Sequence, residues 1–299
     1  MVPRPAEAAR LTKDDPARGA LFVLGAAAAF STMSALLKSA SVGLPTEMLV
    51  FLRNAFSLLF LLPFLVRLRW AGLATQVPHL HLLRAVVGVT GIYLFVYALG
   101  HLPLAEAVLL NLTSALFVPF IAMLWLDERI ARRTAAALVL GFVGVVLILK
   151  PGGGFGSFDA LVGLGSGLTT ALAMVTIRRN SRTEPYQRIV FYFFTLATLV
   201  SAVPLLWAWV TPDLRQFAVL AAAGLCATLG QLALTKGYSL APVSRVGPYT
   251  YASVVFAAAW GWALWGEAPD ALAAGGALFV IAGGILALPR PGAPAPPPA

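Results

Sequence analysis

Ten runs of mainly apolar residues, each near the length of a bilayer crossing, dominate this chain. They lie near 19–38, 46–66, 80–99, 104–126, 134–150, 160–178, 189–210, 216–235, 243–265 and 270–288. A helix crosses a hydrocarbon core of ~30 Å with about 20 such residues, at ~1.5 Å rise each. The connections are short and carry breakers, among them Pro45, Pro78, Pro103, Gly152 to Gly154, Pro185, Pro212, Pro242 and Pro269, so no soluble domain fits between the runs. Composition agrees. Of 299 residues 60% are hydrophobic and 11% charged, too few charges to cover a soluble surface of that size. The expectation is an all-α integral membrane protein with ten transmembrane helices. An ordinary soluble enzyme, a disordered chain and a nucleic-acid-binding domain are excluded.

The net charge of +9 has a membrane explanation. With the N-terminus in the cytoplasm, fifteen of the 21 basic residues fall on inner segments, three (Lys38, Lys150, Arg215) on outer ones, and Arg53, Arg84 and Arg245 within spans. That asymmetry follows the positive-inside rule, places both termini in the cytoplasm and removes the need for a nucleic-acid partner. The first span follows Arg10, Lys13 and Arg18, as a signal peptide would. Its full spanning length and the Leu36-Leu37-Lys38-Ser39 end identify it as a retained helix. The single cysteine, Cys226, excludes a disulfide framework, and the His79/His81 pair lacks a third metal ligand. GxSxG, HExxH and Walker-type patterns are absent from the sequence, so neither an enzyme nor a cofactor is expected.

Sliding the chain by 139 residues places Pro103 on Pro242, Ser114 on Ser253, Glu128 on Glu267, Gly144 on Gly283 and Leu147 on Leu286. A slide of 138 places Gly25 on Gly163 and Ser31-Thr32 on Thr169-Thr170. Two halves of five spans follow: an N-terminal tail over 1–18, repeats over 19–150 and 151–288, and a proline-rich tail over 289–299. Five is odd, so the second half is inverted, an arrangement that puts a binding site near the midplane. Each half ends with a proline, a long helix, a terminal glutamate (Trp125-Leu126-Asp127-Glu128; Leu264-Trp265-Gly266-Glu267) and a glycine-rich helix. These features, and above all the stretch Arg84 to Glu128, resemble the EamA-type family of the drug/metabolite transporter superfamily. The resemblance implies an inverted five-plus-five fold and transport of small metabolites. It also implies a proline in the fourth span where this chain has Ala115, with Pro119 four residues later.

Polar residues at depth mark the candidate path, because an unpaired polar group in hydrocarbon is costly. Hydroxyls near the midplane are Ser31, Thr32, Ser57, Thr90, Thr113, Ser114, Thr169, Thr170, Thr228 and Ser253. Each either lines a cavity or bonds a helix backbone or neighbouring helix. Arg53 lies ~10 Å into the second span at helical rise, too deep to snorkel easily. Its candidate partners are Glu106, Asn111 or a substrate carboxylate, against a purely structural Arg–Glu tie. Glu106 is also the candidate proton carrier. Arg84 and Arg245 sit near cytoplasmic ends, where snorkelling is expected, and Arg84 shares a face with Gly88 and Gly91 that reads as a packing seam. In the ninth span Arg245, Tyr249, Ser253, Phe256 and Trp260 recur as a stripe, with Pro248 distorting its first turns. On the eighth span Thr228, Gln231 and Thr235 form a smaller polar face. The substrate-binding set expected from sequence is therefore Arg53, Asn111, Ser114, Gln231, Arg245, Tyr249, Ser253 and Trp260.

Cations against a single interior carboxylate point to a secondary transporter of a small organic metabolite bearing an anionic group. The metabolite would be amino-acid-like or nucleoside-like and would move by alternating access. A lipid-handling, flippase-like or scaffold protein is the alternative. The expected partners are a small molecule and the bilayer, with the chain acting as a monomer or weak homodimer in the inner membrane.

Overall fold

A computed structural model of the chain describes residues 15–65, 74–75, 77–126, 157–180, 183–184, 186–240, 247–268 and 270–287, with scattered positions from 136 to 147. The two tails, most of the fifth span, the Gly152 to Gly154 segment, Glu128 and Arg245 lie outside the described residues. The elements in order are α1 (Pro16–Ala40), α2 (Thr46–Leu65), α3 (Pro78–His101), α4 (Leu104–Leu112), α5 (Ser114–Leu126), α6 (Phe158–Asn180), α7 (Tyr186–Ala202), α8 (Leu205–Ala208), α9 (Leu214–Leu240), a 3₁₀ turn (Gly247–Tyr251), α10 (Ala252–Trp265) and α11 (Ala271–Ala287). Among the described residues all regular structure is helical.

Among the described residues, five helices are long and apolar enough to cross a membrane, over Ala17–Ala40, Thr46–Pro63, Pro78–His101, Phe158–Ile177 and Leu214–Gly237. Shorter apolar helices cover Leu104–Val118, Arg188–Ala202 and Ala274–Gly283. Large apolar side chains such as Leu21, Leu124, Leu206, Trp207 and Leu214 point outward. On a soluble protein such a surface would aggregate, whereas on a membrane protein it meets lipid. Backbone groups satisfied within each helix make that placement affordable.

The packing follows the exchange of halves. Helix α1 packs most extensively on α9 and, in the matching relation, α3 on α6; α2 meets α9 as α3 meets α7; α10 meets α1 as α4 and α5 meet α6. The local breaks match too. The fourth span is interrupted at Thr113, between α4 and α5, and the ninth at Tyr251, where the 3₁₀ turn gives way to α10. These positions are one residue apart after the 139-residue slide. The proline implied at Ala115 is not what interrupts the fourth span. Thr113 bonds back from its N–H to the Leu110 carbonyl at 3.2 Å and from its hydroxyl to the same oxygen at 2.6 Å, a local tie that competes with the helix ladder.

The apolar core has two parts. A large cluster joins α1, α2, α3, α4, α9 and α10 and includes Met48, Leu49, Leu99, Leu104, Leu110 and Leu220. A smaller one joins α2, α3 and α7 through Leu61, Val89, Phe193, Phe194 and Ala197. Between halves, the helices approach through glycines and hydroxyls. At the crossing of α2 and α9 the Ser57 hydroxyl donates to the Gly224 carbonyl at 3.2 Å, and the Thr228 hydroxyl donates to the Ser57 carbonyl at 3.0 Å. A β-carbon on Gly224 would lie 3.0 Å from the Ser57 nitrogen and closer still to Phe56. Gly224→Val is therefore expected to destabilise the fold by roughly 1–3 kcal/mol, as overpacking does. Gly25→Ala, where a β-carbon meets nothing within 4 Å, leaves the unfolding midpoint in detergent unlowered. Equal midpoints for the two variants would refute the crossing.

Candidate functional site

Arg53 on α2 and Arg84 on α3 are both turned into the bundle, with 7% and 8% of their surface exposed. Arg53 donates from Nη1 to Asn54 Oδ1 at 2.7 Å and approaches Met33 Sδ from Nη2 at 3.7 Å, while its Nε has no partner. Its guanidinium carbon lies 5.7 Å from the centre of the Phe194 ring. Arg84 lies over the neighbouring ring, Phe193, at 4.1 Å, with Nε and Nη1 unpartnered. The two rings, consecutive on α7, have centres 5.4 Å apart. Neither arginine forms an ion pair with a carboxylate among the described residues. Asn54, fully buried, spends its oxygen on Arg53 and leaves Nδ2 free. The group of Arg53, Asn54 and Arg84 thus presents unpartnered donors and no free acceptor.

Gly88 explains how Arg84 fits. The guanidinium folds back over it, and a β-carbon there would collide with Nη1 and lie 2.7 Å from the Phe193 ring. The snorkelling expected for Arg84 does not occur, and the Gly88 end of its face holds the side chain itself. Only Gly91 acts as a helix seam, opposite Thr169 of α6. Depth along a span does not fix where a long arginine stem leads, so the sequence alone does not mark Arg84 as a site residue. The glycine one turn after the arginine was the available signal.

Other expected residues serve as ties between halves. Asn111 donates from Nδ2 to Ser166 Oγ at 3.1 Å and Thr170 Oγ1 at 3.0 Å, and so is not the partner of Arg53. The Ser31 hydroxyl donates to the Ser253 carbonyl at 2.8 Å, and Trp260 Nε1 donates to Thr32 Oγ1 at 3.2 Å. The matched pairs Ser31-Thr32 and Thr169-Thr170 thus both lie at cross-half contacts. Ser114 is buried, and Gln231 is half-buried with its carbonyl accepting from Thr235 at 2.7 Å. Glu106 is half-buried in the first turn of α4. Tyr249 is 43% exposed and Phe256 36%, while Ser253 is buried. The expected stripe is therefore not one continuous face. The 3₁₀ turn advances each residue by about 120° instead of 100°, which takes Tyr249 out of register with α10.

At the end of the bundle where α1, α3 and α10 terminate, a charged latch joins the halves. Lys38 Nζ pairs with Glu267 Oε1 at 2.6 Å and donates to the Leu102 carbonyl at 2.6 Å. Glu267 Oε2 accepts from the Leu104 N–H at 2.7 Å, capping the start of α4. The ammonium also lies 5.4 Å from the Trp265 ring centre. Gly266 makes this reachable. It closes α10 at φ 69°, a left-handed conformation that costs glycine little, and turns Glu267 back toward Gly261. On the second half, Arg179 of α6 lies over Trp125 of α5 at 5.8 Å. Exchange of halves relates the helix pair α6 and α5 to α1 and α10. At the end of the bundle opposite the Lys38 latch, Glu184 accepts from Thr75 at 2.7 Å and pairs with Arg188.

Comparison with known proteins agrees with the repeat. Residues 17–150 and 158–288 each match the model of the EamA-like transporter family. The pseudopaline exporter CntI of Pseudomonas aeruginosa (strain UCBPP-PA14) is 40% identical over 269 residues, spanning 88% of this chain and 94% of that protein. A riboflavin transporter of Vibrio cholerae is 30% identical over 275 residues, 90% of this chain and 92% of the relative. An S-adenosylmethionine uptake transporter of Rickettsia bellii is 27% identical over 231 residues, 77% and 79% of the two chains. A solved crystal structure with 20% sequence identity superposes with a TM-score of 0.66 over 90% of this chain and 96% of its own, which shows a shared fold.

Glu267→Ala would strand the Lys38 ammonium and the Leu104 N–H together. The expected outcome is a loss of roughly 1–3 kcal/mol, as for an orphaned buried donor, and faster hydrogen exchange at the start of α4. Exchange mass spectrometry on peptides spanning 102–107 reads this directly, and wild-type protection there would show that the latch carries nothing.

Proposed function

From the EamA-like transporter family, to which this chain belongs, we infer a carrier that moves a small organic metabolite bearing an anionic group by alternating access. The protein is a multi-pass membrane transporter of small molecules and not an enzyme. The finer reading is ten spans in two inverted halves, 19–150 and 151–288, with both termini in the cytoplasm. Relatives named for pseudopaline, riboflavin and S-adenosylmethionine support an organic metabolite as cargo.

The observation that carries the anionic reading is Arg53, buried against Met33 and Phe194 without an acid among the described residues. A central arginine costs roughly 2.5 to 3.5 kcal/mol in insertion experiments. Pairing with a carboxylate on a substrate offsets that cost only when the site is occupied, and the planar guanidinium suits such an acceptor. Asn111, Ser114, Gln231, Tyr249, Ser253, Trp260 and Arg245 are proposed to border the path around it. Glu106 is the proposed ion-pair or proton-coupling carboxylate.

Alternating access is supported by the paired ends. The Lys38–Glu267 latch ties α1 to α10 across the halves at one end. The exchange-related contact of Arg179 with Trp125 lies at the other. Rocking of one half on the other loosens one while tightening its counterpart.

The test is counterflow in proteoliposomes loaded with labelled amino acids, nucleosides or S-adenosylmethionine. Arg53→Ala is expected to abolish the flux that the wild type supports, while elution and thermal unfolding in detergent stay those of folded protein. Undiminished flux in that variant would remove Arg53 from the path.

A further inference from the structure

We propose that Arg84 is a second anchor for the transported molecule, and that with Arg53 it selects a substrate carrying two separate carboxylates. The inference rests on the reading of Arg53 as a substrate anchor and extends it to a substrate class.

Two guanidinium groups, each more than nine-tenths buried, lie against consecutive rings of α7 and lack any ion-pair partner among the described residues. Guanidinium remains protonated under all ordinary conditions. A ligand that carries one negative charge leaves one of them uncompensated in a medium where that is expensive. A ligand with two negative charges compensates both.

Geometry then separates two carboxylates from one compact dianion. The arginines come from different helices, α2 and α3. Each lies on its own ring, Arg53 on Phe194 and Arg84 on Phe193. Each keeps its own unpartnered nitrogens, Nε of Arg53 and both Nε and Nη1 of Arg84. The Asn54 amide holds the first guanidinium through Nη1, and Gly88 leaves room for the second. Two carboxylates on one flexible backbone would each take a separate cation, with Asn54 Nδ2 as an additional donor to the first. The aromatic rings beneath exclude water and hold the guanidinium planes in place.

The test uses the full-length protein in detergent micelles, with the diacids malonate through adipate as probes. Propionate and inorganic phosphate serve as comparison anions. Unfolding midpoints give the affinities, and labelled diacid counterflow in proteoliposomes gives transport. At least one diacid is expected to raise the midpoint where propionate at equal concentration does not, with an optimum at one chain length. Arg84→Gln and Arg53→Gln are each expected to weaken that diacid by about tenfold or more. Arg84→Lys, which keeps the charge, should recover part of the loss, an effect that a purely structural arginine would not give. Wild-type diacid affinity in folded Arg84→Gln, with loss only in Arg53→Gln, overturns the role of Arg84 and leaves Arg53 standing. Wild-type affinity in both variants overturns both assignments. Stabilisation by phosphate and by no diacid overturns the two-carboxylate class, and so does a midpoint unmoved by any diacid.

Discussion

Removing a guanidinium from water without giving it an acid is costly, and the packing of this bundle has to offset that cost at Arg53 and again at Arg84. On the order of 3 kcal/mol for each is a large part of the 5 to 15 kcal/mol by which domains are typically stable. The compensation visible around them is weak in kind: an amide oxygen from Asn54, a thioether from Met33 and the faces of Phe194 and Phe193. Apolar residues of similar size would give a more stable core. The two arginines therefore make physical sense as binding groups held in readiness beside the smaller apolar cluster, to which Phe193 and Phe194 belong and which joins helices α2, α3 and α7.

The interface between halves is built from a different material. Ser57, Thr228, Gly224, Ser31, Thr32, Asn111, Ser166 and Thr170 let backbones approach and exchange single hydrogen bonds across the helices. Ties of this kind in membranes contribute about 0.6 kcal/mol on average, rarely more than 2. Small contacts spread over matched surfaces can be traded for their counterparts without crossing a deep well. The interruptions at Thr113 and Tyr251 fall at matched places, so each half carries a break in its fourth helix.

The sequence made this plan legible where the signal was long or repeated. Apolar runs located the long helices, and a slide of 139 residues aligned Ser114 with Ser253 and thereby the two helix breaks. What eluded the sequence was side-chain direction. Arg84 and Arg53 look alike only once χ angles are known, because a lysine or arginine stem is long enough to reach either the surface or the middle from the same depth. Asn111, level with Arg53 on a straight rod, faces α6 instead. Tyr249 lost its register because a five-residue 3₁₀ turn resets the periodicity that a stripe argument assumes. The Lys38–Glu267 latch was hidden for another reason: its members are 229 positions apart, and only the positive φ of Gly266 swings the carboxylate back over α10.

The latch and the central arginines differ in strength, and that difference gives the molecule a direction of control. A partly exposed ion pair contributes on the order of 1 kcal/mol, and the Leu102 and Leu104 contacts add hydrogen bonds of similar size. A ligand shifts a two-state equilibrium only by the difference in its affinity for the two states. Neutralising one or both buried guanidinium groups changes the energy of the bundle interior by more than the latch can hold. Any difference in how the two states present Arg53 and Arg84 to an anion then outweighs the closure at the Lys38 end. In such a carrier the end contacts set which state is occupied at rest, and the occupant of the centre sets which state follows.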